Sequence, residues 1–174
     1  MYADHYSVSV QQALPWRLIT QIGYVGNRGR HMLDRSYVNL IDPATGRRPL
    51  AQYGRVDIKG GDSKTTFNGL QLSLHRQMSG GFLFGSQYMW SHAFDEGSLG
   101  GGESQIPQNV ACRSCEWAST NQDIRHTLTV NWVYELPFGT ERGNFSEAGL
   151  LEHLFGGWQL SGLMQARTGR PLTI

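Results

Sequence analysis

The chain has 174 residues, 39% of them hydrophobic, and a formal net charge of +1. That is the length of one domain, without the charge excess of a disordered tail or the basic excess expected of a nucleic-acid binder. Its 22 glycines disfavour long helices. A mean hydropathy of -0.39, with no apolar run of about 18 residues, excludes a transmembrane helix but leaves membrane strands open.

The N-terminal run Met1-Tyr2-Ala3-Asp4-His5-Tyr6 has neither a basic nor an apolar export region, so the chain is expected to be cytosolic or to lack its natural start. From there, apolar residues recur at a period of two, the pattern of strands with one apolar face. Strands are expected over 6–14 (Tyr6, Val8, Val10) and 17–25 (Leu18, Ile22, Tyr24), joined by the tight Leu14-Pro15-Trp16 corner. The polar stretch 26–66 is expected to be a loop. It carries Arg28, Arg30, Arg35, Arg47, Arg48 and Arg55 against Asp34, Asp42, Asp57 and Asp62. Such a mixture reads first as a solvated loop and second as a surface for lipopolysaccharide phosphates or an anionic ligand.

Leu70, Leu72 and Leu74 alternate with Gln71, Ser73 and His75 in a strand expected over 67–78. Ser79-Gly80-Gly81 then turns the chain into 82–95, with Phe82, Phe84, Tyr88 and Trp90 on one side. A second polar stretch, 96–124, precedes the most regular strand, 126–138, where Leu128, Val130, Trp132, Tyr134 and Leu136 face away from Thr127, Thr129, Asn131 and Glu135. The last strand, 157–168, sets Trp158, Leu160 and Met164 against Gln159, Ser161 and Gln165.

Connections alternate between short and long, which is unusual for a compact soluble domain and is the build of an outer-membrane barrel, with short periplasmic turns and long extracellular loops. The fold class expected is therefore all-β: an antiparallel up-and-down meander of about six strands, a partial transmembrane β-barrel. Aromatic residues should then collect at both ends of the apolar face. Tyr6, Tyr24, Phe67 and Trp90 are the candidates for the outer girdle, and Trp16, Phe82, Phe138 and Trp158 for the inner one. Arg76 alone puts a charge on that face, near the inner end, where a long side chain can snorkel. A soluble β-sandwich or adhesin-like binding module would show the same alternation and stands as the competing reading.

Several strings, in order and spacing, carry a family resemblance: Tyr24-Val25-Gly26-Asn27-Arg28-Gly29, Thr66-Phe67-Asn68-Gly69-Leu70-Gln71-Leu72-Ser73-Leu74, Tyr88-Met89-Trp90-Ser91-His92-Ala93-Phe94-Asp95, Asp123-Ile124-Arg125-His126, Tyr134-Glu135-Leu136-Pro137-Phe138-Gly139, Gly156-Gly157-Trp158-Gln159-Leu160-Ser161-Gly162 and Thr168-Gly169-Arg170-Pro171-Leu172-Thr173. Over nearly the whole chain they resemble the barrel of TonB-dependent outer-membrane receptors, in the Oar-like branch that carries a carboxypeptidase-regulatory-like domain. The resemblance implies a large plugged barrel that imports a scarce solute with energy relayed by TonB. Plug, TonB box and signal peptide are absent from this sequence, so it is expected to be a barrel segment whose parent lies in the outer membrane. Its expected partners are outer-membrane lipid, the plug and remaining strands of the parent, and TonB through the parent alone.

The cysteines Cys112 and Cys115 admit three readings: a local disulfide stiffening a surface loop, two free thiols, or half of a metal site with His92 and His126, whose spacing matches no common pattern. The first is preferred. No helix N-terminus activates a thiol. Gly100-Gly101-Gly102 and the run from Gly60 to Thr65 lack Walker spacing, Asn144-Phe145-Ser146 is an isolated sequon, and no acid/base pair or nucleophile motif occurs. No catalytic, cofactor or metal residue is therefore assigned, and an enzyme is not expected. The polar residues Gln71, Ser73, Gln87, Asn131, Gln159 and Gln165 are expected to line the lumen or meet the plug.

Overall fold

The computed structural model describes residues 1–97, 107, 109, 112–136 and 157–171. Its strands are β1 (Tyr2–Leu14), β2 (Leu18–Val38), β3 (Val56–Ser79), β4 (Phe82–Asp95), the two-residue β5 (Ala118–Ser119), β6 (His126–Glu135) and β7 (Gln159–Arg167). They form one antiparallel sheet in the order β1-β2-β3-β4-β6-β7, with β5 paired to the end of β4. The meander follows from the turns. Gly80 and Gly81 both take positive φ and let Ser79 pair with Phe82 across a two-residue hairpin. The corner between β1 and β2 achieves the same reversal with Trp16 and Arg17 at φ of 63 and 59°, a conformation L-residues adopt only at a cost.

The registers give the sheet two chemically distinct faces. Across all six long strands, Val10, Ile22, Leu72, Tyr88, Leu128 and Ala166 are successive direct partners. One residue along each strand, on the other side, runs the row Gln11, Gln21, Ser73, Gln87, Thr129 and Gln165. A single slip in any ladder would break both rows, since one residue exchanges the faces. Among the described residues no hydrophobic side chain is buried, whereas Asp34, Ser63, Ser91, Glu96 and Asp123 are. This inverts the arrangement of a soluble sandwich, whose two sheets close over an apolar interior. Val10 remains 69% exposed and Leu160 58% exposed, with no second sheet among the described residues to cover them. The soluble alternative is not favoured.

Strand boundaries depart from expectation mainly at one end. Residues 26–38 and 56–66, expected within a loop, continue the β2–β3 ladder as far as Val38 opposite Val56. Only 39–55 connects them, organised by Asn39: its Nδ2 donates to the carbonyls of Leu50, Tyr53 and Gly54, and its Oδ1 accepts from Leu50 N–H. The sequence pattern hides this hairpin because polar and charged residues interrupt both faces and apolar ones gather near its tip, at Val38, Val56 and Ile58. It also contains register shifts between Gly29 and Met32 and between Met32 and Asp34, with His31 at φ 54°. Such a bulge bends the strand and breaks the alternation. β1 likewise begins at Tyr2 rather than residue 6, and β5 is additional to the six expected strands.

Candidate functional site

Two regions can carry function: the polar face of the sheet, and the cluster of buried polar groups where β2, β3 and β4 leave the alternating zone.

On the polar face, Gln21, Gln71, Ser73, Gln87, Thr127 and Thr129, with Met89 among them, line a shallow depression of about 370 Å³. Gln71, Ser73 and Gln87 are the residues expected on this side; Gln21 joins them through its pairing with Ser73, Thr129 through Gln87, and Thr127 through Met89, the direct partner of Gln71. Asn131, Gln159 and Gln165 lie on the same face, opposite Leu163, Glu135 and Thr129. Neutral amides and hydroxyls both donate and accept, so such a wall can exchange hydrogen bonds with water or with polar groups of either kind.

On the apolar face, the aromatic residues divide into two levels. At the loop end, Tyr6 and Tyr24 stand with ring centroids 6.2 Å apart, and both hydroxyls donate to Asn68 Oδ1, at 3.1 and 2.8 Å. Trp90 follows, beside Leu70 on β3. Phe67 does not belong to this row. It pairs with Asn27 and Ala93, in the register of Gly69 and Gln71, and so lies on the polar face. Its odd position relative to Leu70 and Leu72 carried that information, because side chains alternate strictly along a strand. At the turn end, Phe82 packs with Phe84 (6.4 Å) and edge-on to Tyr134 (6.3 Å), and the Arg76 guanidinium lies 5.4 Å from the Phe82 ring centroid. Trp16 sits exposed at the turn, and Trp158 O accepts from Leu136 N–H. Phe138 lies outside the described residues.

Two glycines make these faces pack. A Cβ at Gly26 would fall on the ring of Tyr6, its direct partner, and one at Gly162 on the ring of Trp132, also its partner. The rings lie across the glycines and cover their otherwise bare backbone.

The loop-end cluster holds the connection between β4 and β6 against the sheet. Asp123, almost fully buried, accepts from Ala93 N–H (2.9 Å) through Oδ1, while Oδ2 receives His92 Nδ1 (2.8 Å) and Arg125 Nε (3.1 Å). Arg125 Nη2 donates to His92 Nε2 at 2.8 Å, so the ring carries its proton on Nδ1. Burial alone would raise the Asp123 pKa, but the hydrogen bonds from His92, Ala93 and Arg125 outweigh it and hold the carboxyl below its ordinary value. Ser91 completes the seam: its N–H donates to Arg125 O and its Oγ to Ile124 O, both 2.9 Å. Farther out, Arg35 grips Asp57 with contacts of 2.6 to 3.0 Å, and this hydrogen bonding lowers the Asp57 pKa.

Cys112 and Cys115 are joined by a disulfide, with Cα atoms 5.4 Å apart, around a 3-10 turn spanning Arg113–Glu116. The turn presents Arg113, whose Nη2 stands 2.9 Å from Asp34 Oδ2 on β2, and Trp117, stacked on Phe94 of β4 at 5.8 Å. The loop is thereby tied to two strands. Sequence reasoning missed Asp34, Ser91, His92 and Asp123 as structural groups, since nothing local marks a carboxylate whose partners lie some thirty positions away. His92 is committed to Asp123 and Arg125, and the two cysteines to each other. No group of three or more metal-ligating side chains occurs among the described residues.

A family model described as "Outer membrane beta barrel domain" matches residues 1–174. No curated protein and no solved structure matches the chain.

Proposed function

From its membership of the outer membrane beta barrel domain family, to which the chain belongs over its whole length, we propose that this outer-membrane domain is wall and outer loop of a TonB-dependent receptor of the Oar-like kind. The observation that carries the reading is the pair of uninterrupted rows across six strands, one apolar and one of amides and hydroxyls. The first suits the acyl chains of the bilayer and the second a hydrated, plugged lumen. The seven family-like strings favour the energised receptor over a passive porin. On this reading the short turns at Trp16 and Gly80 face the periplasm. The β2–β3 hairpin and the disulfide-bearing loop then face outward, where ligands arrive, and parent strands pair with the edges of β1 and β7. The role is transport, not catalysis.

The test is uptake. Cells with and without the gene are supplied with a mixture of labelled nutrients, before and after collapse of the proton-motive force. An energised receptor predicts gene-dependent accumulation of a solute that stops on de-energisation. Accumulation that persists identifies a passive channel instead.

A further inference from the structure

The apolar face does not end at the aromatic row. Along β1 and β2 the register continues, the partners Tyr6 and Gly26 being followed by Asp4 and Arg28, then Tyr2 and Arg30, while alternation along β3 carries Asn68, Thr66 and Lys64 on the same side, Lys64 at the level where the β2–β3 register shifts. Arg28, Arg30 and Lys64 thus lie on the lipid side of the sheet, two to four residues beyond the Tyr6–Tyr24–Asn68 cluster. At the rise of a strand that is roughly 7 to 14 Å, the depth of a lipid headgroup layer. All three side chains are exposed and, among the described residues, make no hydrogen bond or ion pair. They border an open cleft of about 470 Å³ whose lining also includes Tyr2, Trp117 and Asp62. The register shift after Gly29 falls at this level, and Gly29 and His31 belong to the same lining.

The geometry points to a binding site for a phosphate group carried by an outer-leaflet lipid. Two guanidinium groups on alternate residues of one strand, with an ammonium on the next, can take phosphate oxygens in forked and single contacts. Flanking Tyr and Trp side chains suit the boundary between headgroup and acyl chain. The apolar column below, Val8 and Val10 on β1 with Ile22 on β2, offers acyl chains a surface continuous with the cleft, which a free anion would not use. The site rests on the membrane-spanning reading of the sheet and is independent of TonB. Trp117, which lines the cleft, stacks on Phe94 of β4 beside the β4–β5 pairing, so the docked loop supplies part of the wall.

The full chain in dodecyl-maltoside micelles is titrated with bisphosphorylated lipid A, with the same lipid enzymatically dephosphorylated, and with inorganic phosphate, following tryptophan fluorescence. Binding of the phosphorylated lipid is expected, weakened about tenfold by Arg28→Gln with Arg30→Gln, and weakened by salt. Asp4→Asn, which removes the carboxylate opposite Arg28, should tighten binding several-fold, a gain that misfolding cannot imitate. Equal affinity for the dephosphorylated lipid, or an unchanged affinity in the double variant, overturns the site. Inorganic phosphate binding as tightly as the lipid overturns the lipid as ligand. A chain that lacks β-sheet circular dichroism in the same micelles tells against the membrane reading itself.

Discussion

Asp123 shows how a polar residue is made to hold a membrane-strand protein together outside the membrane. Its carboxylate is surrounded by His92, Arg125 and the Ala93 amide, and its folded pKa lies below the ordinary value of 3.8. A depressed carboxylate contributes stability that is fully present above the ordinary value and disappears as pH falls through the folded one. The loop should therefore stay docked through neutral and mildly acidic conditions and detach only below about pH 3.8, which protection of the Ala93 amide from hydrogen exchange can follow. Asp123→Asn should remove the acid transition while lowering protection at all pH values; an unaltered transition would place its origin elsewhere. The two faces give a second check at this scale. Val130→Arg, on the apolar face, should cost ~2–4 kcal/mol of folding free energy in bilayers, whereas Gln87→Arg on the polar face should change little. Equal costs would show the faces to be misassigned.

At the scale of the element, what limits each ladder is the approach of neighbouring strands. Gly162 faces Trp132 directly, and a methyl group there would collide with the indole. Gly162→Ala should displace that ring, shift tryptophan emission and destabilise β6–β7 by about 1–3 kcal/mol, the usual range for overpacking. Gly157 has nothing within 4 Å of an added Cβ but takes φ +75°, so alanine there would be penalised by its backbone alone. The β2–β3 hairpin obeys a different rule. Past Gly26 it is held by ladder hydrogen bonds and by pairs such as Arg35 with Asp57, without a continuous apolar face to set its register. That is why 26–38 and 56–66 looked like loop in the sequence, and why a bulge can persist there at little cost.

At the scale of the molecule, the governing fact is that the described residues form a single sheet with an exposed apolar face, and that among them no further strand pairs with the outer edges of β1 and β7. Such edges and faces associate unless lipid and further strands cover them. In detergent-free buffer the chain should sediment as aggregate, and in micelles it should remain dispersed and β-rich; a monodisperse species without detergent would contradict the membrane placement. By itself the sequence determined the strands of the alternating zone and their two faces. Burial in lipid on one side and contact with water on the other force polar and apolar residues to alternate, and alternation is a local signal. Only the tertiary structure decided the rest: the extension of β2 and β3 beyond the apolar band, the placing of Phe67 among the polar-face residues, and the gathering of Asp34 with Arg113 and of His92 with Asp123 and Arg125. Those depend on which strands pair and in what register, and pairing energy is spread over long-range contacts that no stretch of neighbouring residues records.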